Sequence, residues 1–60
     1  MKKNFQFGNK GINYSVIYNS DNMITVLKDD EFGGEIVMQF IGDKYQNLTE
    51  QDIINKVINF

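Results

Sequence analysis

Neither cysteine nor histidine occurs in the 60 residues of the chain. Without cysteine there is no disulfide framework and no thiolate zinc site. Without histidine the chain lacks the commonest general base, the commonest metal ligand and the one side chain that titrates near neutrality when unperturbed. A small domain without disulfides or soft metal ligands fits a reducing compartment, so a cytoplasmic location is expected. Arginine, proline, alanine and tryptophan are missing too, and every basic residue is lysine. Lack of arginine removes bidentate readout of guanine. No apolar run approaches the roughly 20 residues that a membrane span needs. The start, Met1-Lys2-Lys3-Asn4-Phe5, is basic with no apolar stretch behind it, so no signal peptide is expected.

What remains leans on Asn, Ile, Lys, Phe and Tyr. Their codons are AT-rich, a bias expected of a low-GC bacterium, its phages or a mobile element. A chain this short buries only about 60% of the surface its unfolded form exposes, so its core must be rich in large apolar groups. At 42% hydrophobic and 13% aromatic residues the composition meets that demand and argues for one globular domain over residues 1–60. Net charge is −2. Lys2, Lys3, Lys10, Lys28, Lys44 and Lys56 are scattered, whereas Asp29, Asp30, Glu31 and Glu35 lie almost together. Duplex binders carry the opposite pattern, a basic stripe that neutralises phosphate.

The hydrophobic period gives the elements. Lys3 to Phe7 alternates, with Phe5 and Phe7 on one side, and reads as a short strand. Gly8-Asn9-Lys10-Gly11 follows as a turn cluster. Ile12, Tyr14, Val16 and Tyr18 share one face of a second strand, with Asn13 and Ser15 opposite. Asn19-Ser20-Asp21-Asn22 fits a type I turn closed by a left-handed Asn22. That loop sets Tyr18 beside Ile24 and Val16 beside Val26, and a slip of one residue would scatter these side chains to opposite faces. Met23 to Lys28 is apolar on both faces, as a central strand is. Asp29 to Gly34 is a polar, Gly-rich turn, and Glu35 to Ile41 a last strand with Ile36, Met38 and Phe40 on one face and Val37, Gln39 and Ile41 on the other.

Gly42 to Asn47 is expected to be a loop, and a helix follows over Thr49 to Asn59. Thr49 with Asp52 three residues on forms a capping box, and Leu48 with Ile53 a hydrophobic staple. Glu50 and Asp52 suit the positive end of the helix dipole, and Lys56 the negative end. Ile53, Ile54, Val57 and Ile58 recur at helical spacing. The expected fold is α+β: a three- or four-stranded antiparallel β-meander followed by one C-terminal α-helix packed on one sheet face.

No residue pattern here supports catalysis. Carboxylates alone can do acid-base work, but only as a pair flanking a cleft, and a 60-residue chain has little apolar surface left to wall one. Ser15, Ser20, Thr25 and Thr49 have no histidine to act as base. Asp29, Asp30, Glu31 and Glu35 do not follow the alternating spacing of the calcium loop, so a solvated turn or a contact for a basic partner is the better reading. Gly8-Asn9-Lys10-Gly11 matches the GxxG of RNA-clamping KH loops in letters only, because its flanks read as strands. Phe5, Phe7, Tyr14, Tyr18 and Phe40 are expected beneath the helix rather than stacked on bases.

With one helix, only one side of the sheet can be covered from within. Ile17, Met23, Leu27, Val37 and Ile41 then lie on the other side among Ser15, Thr25 and Gln39. The expected function is that of a non-enzymatic protein-interaction module. It would serve as a phage or mobile-element inhibitor or regulator docking on a larger host macromolecule. The candidate contact residues are Asp29, Asp30, Glu31, Glu35, Ile17, Leu27 and Val37. No cofactor or metal is expected, and a homodimer through the sheet face is an alternative. Three strands then a helix resembles the element order of integrase arm-binding and plant transcription-factor domains that lay a sheet in the major groove. That resemblance implies a nucleic-acid-binding domain, which the charge and the missing arginine oppose.

Overall fold

A computed structural model describes residues 2–60. Four strands, β1 (Phe5–Asn9), β2 (Ile12–Ser20), β3 (Met23–Lys28) and β4 (Glu35–Ile41), form one antiparallel sheet in chain order, and one helix, α1 (Glu50–Ile58), follows. The fold is thus the expected α+β meander, in its four-stranded form. The first strand begins two residues later than the alternation suggests and takes in Gly8 and Asn9. The turn is therefore only Lys10-Gly11, with φ of 53° and 79°. A two-residue hairpin turn with both φ values positive matches the right-handed twist of the strands, and glycine supplies one of the two positions without strain.

The β2–β3 register is the expected one, with Tyr18 opposite Ile24 and Val16 opposite Val26. The loop differs. Ser20 still pairs with Met23, and a bulge lies between Tyr18 and Ser20, so the turn is Asp21-Asn22. Among the described residues Lys10 is the only non-glycine with positive φ, so Asn22 is not left-handed. The physical reason is the bulge: the extra residue, Asn19, bends the strand and adds twist that a left-handed turn residue would otherwise provide. Asn22 instead ties the turn to the end of β4, its carbonyl accepting from Gly42 N–H at 2.8 Å and its side chain donating to Asp43 Oδ1 at 3.3 Å.

A second register shift lies between Val26 and Leu27, where Val26 faces Met38 but Leu27 faces Ile36. One extra residue, Val37, fits between them. Directly opposed residues point to the same face, so Ile36 shares the face of Leu27 and not that of Met38 and Phe40. The expectation that Ile36 belongs to the helix side is corrected by this bulge.

Val16, Ile24, Val26 and Phe40 from the sheet and Ile53 from α1 make the buried core. Phe5, Phe7, Tyr14, Tyr18, Met38, Tyr45, Leu48 and Val57 pack around it. Phe7 stacks on Tyr14 with ring centres 5.1 Å apart, and Phe5 lies 6.3 Å from Tyr18. The aromatic residues therefore form the layer under the helix. A single 3-10 turn at Asp43–Tyr45 interrupts the expected loop and brings the Tyr45 ring within 5.2 Å of Phe40.

The helix starts as its sequence specifies. Thr49 Oγ1 accepts from Asp52 N–H at 3.1 Å, and Asp52 Oδ2 accepts from Thr49 N–H at 3.0 Å. Hydrogen bonding to the carboxyl by the Thr49 backbone N–H, and then by the Thr49 side chain, holds Asp52 below its ordinary range. The apolar stripe is narrower than its spacing suggests: Ile53 is buried and Val57 joins the core, while Ile58 is exposed.

Candidate functional site

The second face of the sheet has no helix of its own. Across its middle run the pairs Ile17–Thr25 and Thr25–Gln39, and toward one end Ser15–Leu27 and Leu27–Ile36. Met23 and Ile41 pair at the other end. The centre is polar but closed to water. Thr25 is only 7% exposed. Its hydroxyl donates to Asn19 Oδ1 at 2.6 Å and accepts from Gln39 Nε2 at 3.3 Å. The Asn19 bulge thus aims a side chain across the face, and the buried hydroxyl has both partners it needs.

Around this centre the apolar side chains become more exposed toward β4. Ile17, Met23 and Leu27 are half-buried, whereas Ile36 is 56% and Ile41 63% exposed. Val37, the bulged residue, is also exposed. β4 is an edge strand, so nothing on its outer side shields these groups.

The turn between β3 and β4 continues this surface. Its backbone is set by Asp29 N–H donating to Asn13 C=O at 2.9 Å and by Asp30 Oδ1 accepting from Phe32 N–H at 2.7 Å. The second bond is the local side-chain turn that Asp favours. Ser15 Oγ reaches Asp29 Oδ1 at 3.4 Å, linking the turn to the open face. Gly33 and Gly34, with φ of 115° and 149°, then lead the chain into β4. This geometry leaves the Phe32 ring 94% exposed, flanked by Glu31 and the two aspartates.

Of the candidate residues named from the sequence, Leu27 and Val37 meet at the end of the open face that leads into the acidic turn, while Glu35, in line with Lys28 and Tyr14, belongs to the helix side. Leu27 lies beside Ile36, Val37 occupies the adjoining bulge, Ile17 is nearer the centre, and Glu35 faces Lys28 at the strand ends that enter the acidic turn. Two members of this surface, Phe32 and Ile36, are not among the contact candidates named from the sequence. Phe32 carries a signal, since a large ring amid acids and glycines has no core to join. Ile36 carries none, because its side depends on the bulge.

Two open clefts lie elsewhere, next to Lys2. Lys2 Nζ donates to the carbonyls of Gln46 and Leu48 and sits 5.7 Å from the Tyr18 ring centre. Burial, and then the charge of Glu50, push the Tyr18 hydroxyl above its usual range. Each cleft has a single carboxylate in its wall, Asp21 in one and Glu50 in the other. Neither offers the facing pair that carboxylate catalysis uses. Among the described residues no group of acidic side chains is arranged to hold a metal ion, and no helix is long and apolar enough to cross a membrane.

No family model matches the chain, and neither the curated proteins nor the solved structures include one similar to it.

Proposed function

We propose that this chain is a small non-enzymatic protein-interaction module that docks on a larger macromolecule. The contact is the open sheet face together with the acidic turn. One observation carries the reading: Ile17, Leu27, Ile36 and Ile41 lie on the face that the single helix leaves bare, exposed Val37 bulges beside Ile36, and that face runs into a turn tipped by exposed Phe32. Scattered apolar side chains mean little, but Leu27, Ile36 and Val37 adjoin at one end of this face, and adjoining exposed apolar groups mark an interface. A ring such as Phe32 supplies the kind of anchor that fills a partner's pocket. Carboxylates at Asp29, Asp30, Glu31 and Glu35 steer a basic partner toward it. An acidic chain of AT-biased composition further suits a phage or mobile-element regulator. Its carboxylates would compete for the lysines and arginines with which a host enzyme grips phosphate.

The test is capture of partners on the immobilised protein from a bacterial lysate, followed by binding measurements with variants. Asp29→Asn, Asp30→Asn and Glu31→Gln together weaken binding through a slower on-rate, and the deficit shrinks as salt rises. Leu27→Lys abolishes binding. Wild-type affinity in both variants overturns the reading. So does submicromolar duplex binding with a steep salt slope.

A further inference from the structure

The sheet has two free edges, and they are built differently. β1 is five residues long and lies between Lys2-Lys3 and Lys10. Its approach is tied down, with Asn4 Oδ1 accepting from Tyr18 N–H at 2.8 Å and Lys2 bound to the chain ahead of the helix. Short length and flanking lysines are the usual means of blunting an edge. β4 is seven residues long and holds no lysine and no proline. Its bulge comes early, at Val37, which leaves Met38–Ile41 in regular register against β3. Such an edge is a template for another strand.

Resting on the interaction-module reading, we propose that the β4 edge takes an extended segment of the partner protein as a fifth strand. The segment runs antiparallel to β4, alternates apolar with polar residues and carries lysines or arginines at its C-terminal end. Main-chain hydrogen bonds supply affinity along Met38–Ile41, and alternate side chains of the segment pack beside Ile41 on the open face. The charge sets the direction. Antiparallel pairing puts the C-terminal end of the incoming strand beside the start of β4, where Asp29, Asp30, Glu31 and Glu35 gather. The alternative direction is slightly less stable per residue.

A second copy of the chain is a poorer occupant on the same grounds. Two β4 strands paired antiparallel set each acidic turn against the Asp43-Lys44 pair of the other copy, whose charges cancel. Paired in parallel, the acidic turns would face each other. Only a foreign segment with a basic end matches the carboxylates.

Selection of a phage-displayed library of random linear peptides on the intact protein tests this, with hydrogen exchange on the complexes. The expected winners alternate apolar and polar residues, end in Lys or Arg, and slow exchange of the outward-facing amides within Met38–Ile41 while β1 amides are unchanged. Asp29→Asn, Asp30→Asn and Glu31→Gln together slow their association roughly tenfold at low salt. Winners that lack a basic end, or that protect β1, overturn the proposal. Winners lost on Leu27→Lys but leaving β4 amides free to exchange overturn strand addition alone and leave the interaction-module reading standing. If neither the library nor the lysate yields a ligand, both fall.

Discussion

The two faces of the sheet come from the same alternating strands and end in different states. On one, Val16, Ile24, Val26 and Phe40 close against Ile53 and are ringed by aromatic side chains. On the other, the same strands present Ile17, Leu27, Ile36 and Ile41 around a hydrogen-bonded Asn19–Thr25–Gln39 centre, with no helix above them. In a chain that can build one core, the face that receives the helix carries stability. The other is free to carry contact. The polar centre matters to this contrast, because Thr25 is closed to water without any covering element. The open face is thus an ordered surface and not an unfinished core.

The largest effect should separate the faces outright. Ile53→Ala removes a fully buried side chain from the core and should cost about 2–5 kcal/mol in chemical denaturation. Ile41→Ala, at an exposed position on the other face, should stay within about 0.5 kcal/mol. Equal losses would mean that both faces carry stability. The helix that makes the difference depends on its cap, and Thr49→Ala should cost about 1 kcal/mol through the lost bond to Asp52 N–H. Thr25→Val sharpens the picture of the open face. It leaves Asn19 and Gln39 without their shared partner and should also cost about 1 kcal/mol, read as a lower denaturation midpoint. A neutral result would mean that the centre of the face is held by packing alone.

The smallest effect concerns pH. Asp52 has its carboxyl held below its ordinary range in the folded chain by the bonds from Thr49, so the folded state binds the proton more weakly than the unfolded one. Its contribution is therefore fully present above the usual carboxylate pKa of about 3.9 and is lost as pH falls through the lowered value. Melting temperature followed into acid should fall less for Asp52→Asn than for the wild type. Parallel acid profiles would assign the acid loss to other carboxylates.

Much of this architecture is legible in the chain because each local signal agrees with its neighbour. The alternation of Ile12 to Tyr18 and of Met23 to Lys28 admits one register that keeps Val16 with Val26 and Tyr18 with Ile24, and the sheet adopts it. Thr49 and Asp52 fix the helix start by bonds that need no tertiary context. The two bulges are of another kind. Asn19 and Val37 are ordinary strand residues by composition, and their insertion is decided by how twist and pairing balance across the whole sheet. Each reverses the face of what comes beyond it, which is why Ile36 joins Leu27 and why Asn22 is released from a left-handed turn. The proposed contact residues inherit this division. Ile17 and Leu27 follow from period two, and the acids from plain clustering. Ile36 depends on a bulge. Phe32 depends on a turn whose shape is set by one Asp30 hydrogen bond.

The division of labour between the faces can be read directly from side-chain methyl signals. Isotope-labelled isoleucine, leucine and valine methyls, recorded with and without the partner recovered from lysate, report both faces in one spectrum. Binding is expected to shift Ile17, Leu27, Ile36, Val37 and Ile41 and to leave Ile54 and Ile58 on the helix unmoved. Shifts confined to the helix, with the open-face methyls unchanged, would contradict that division.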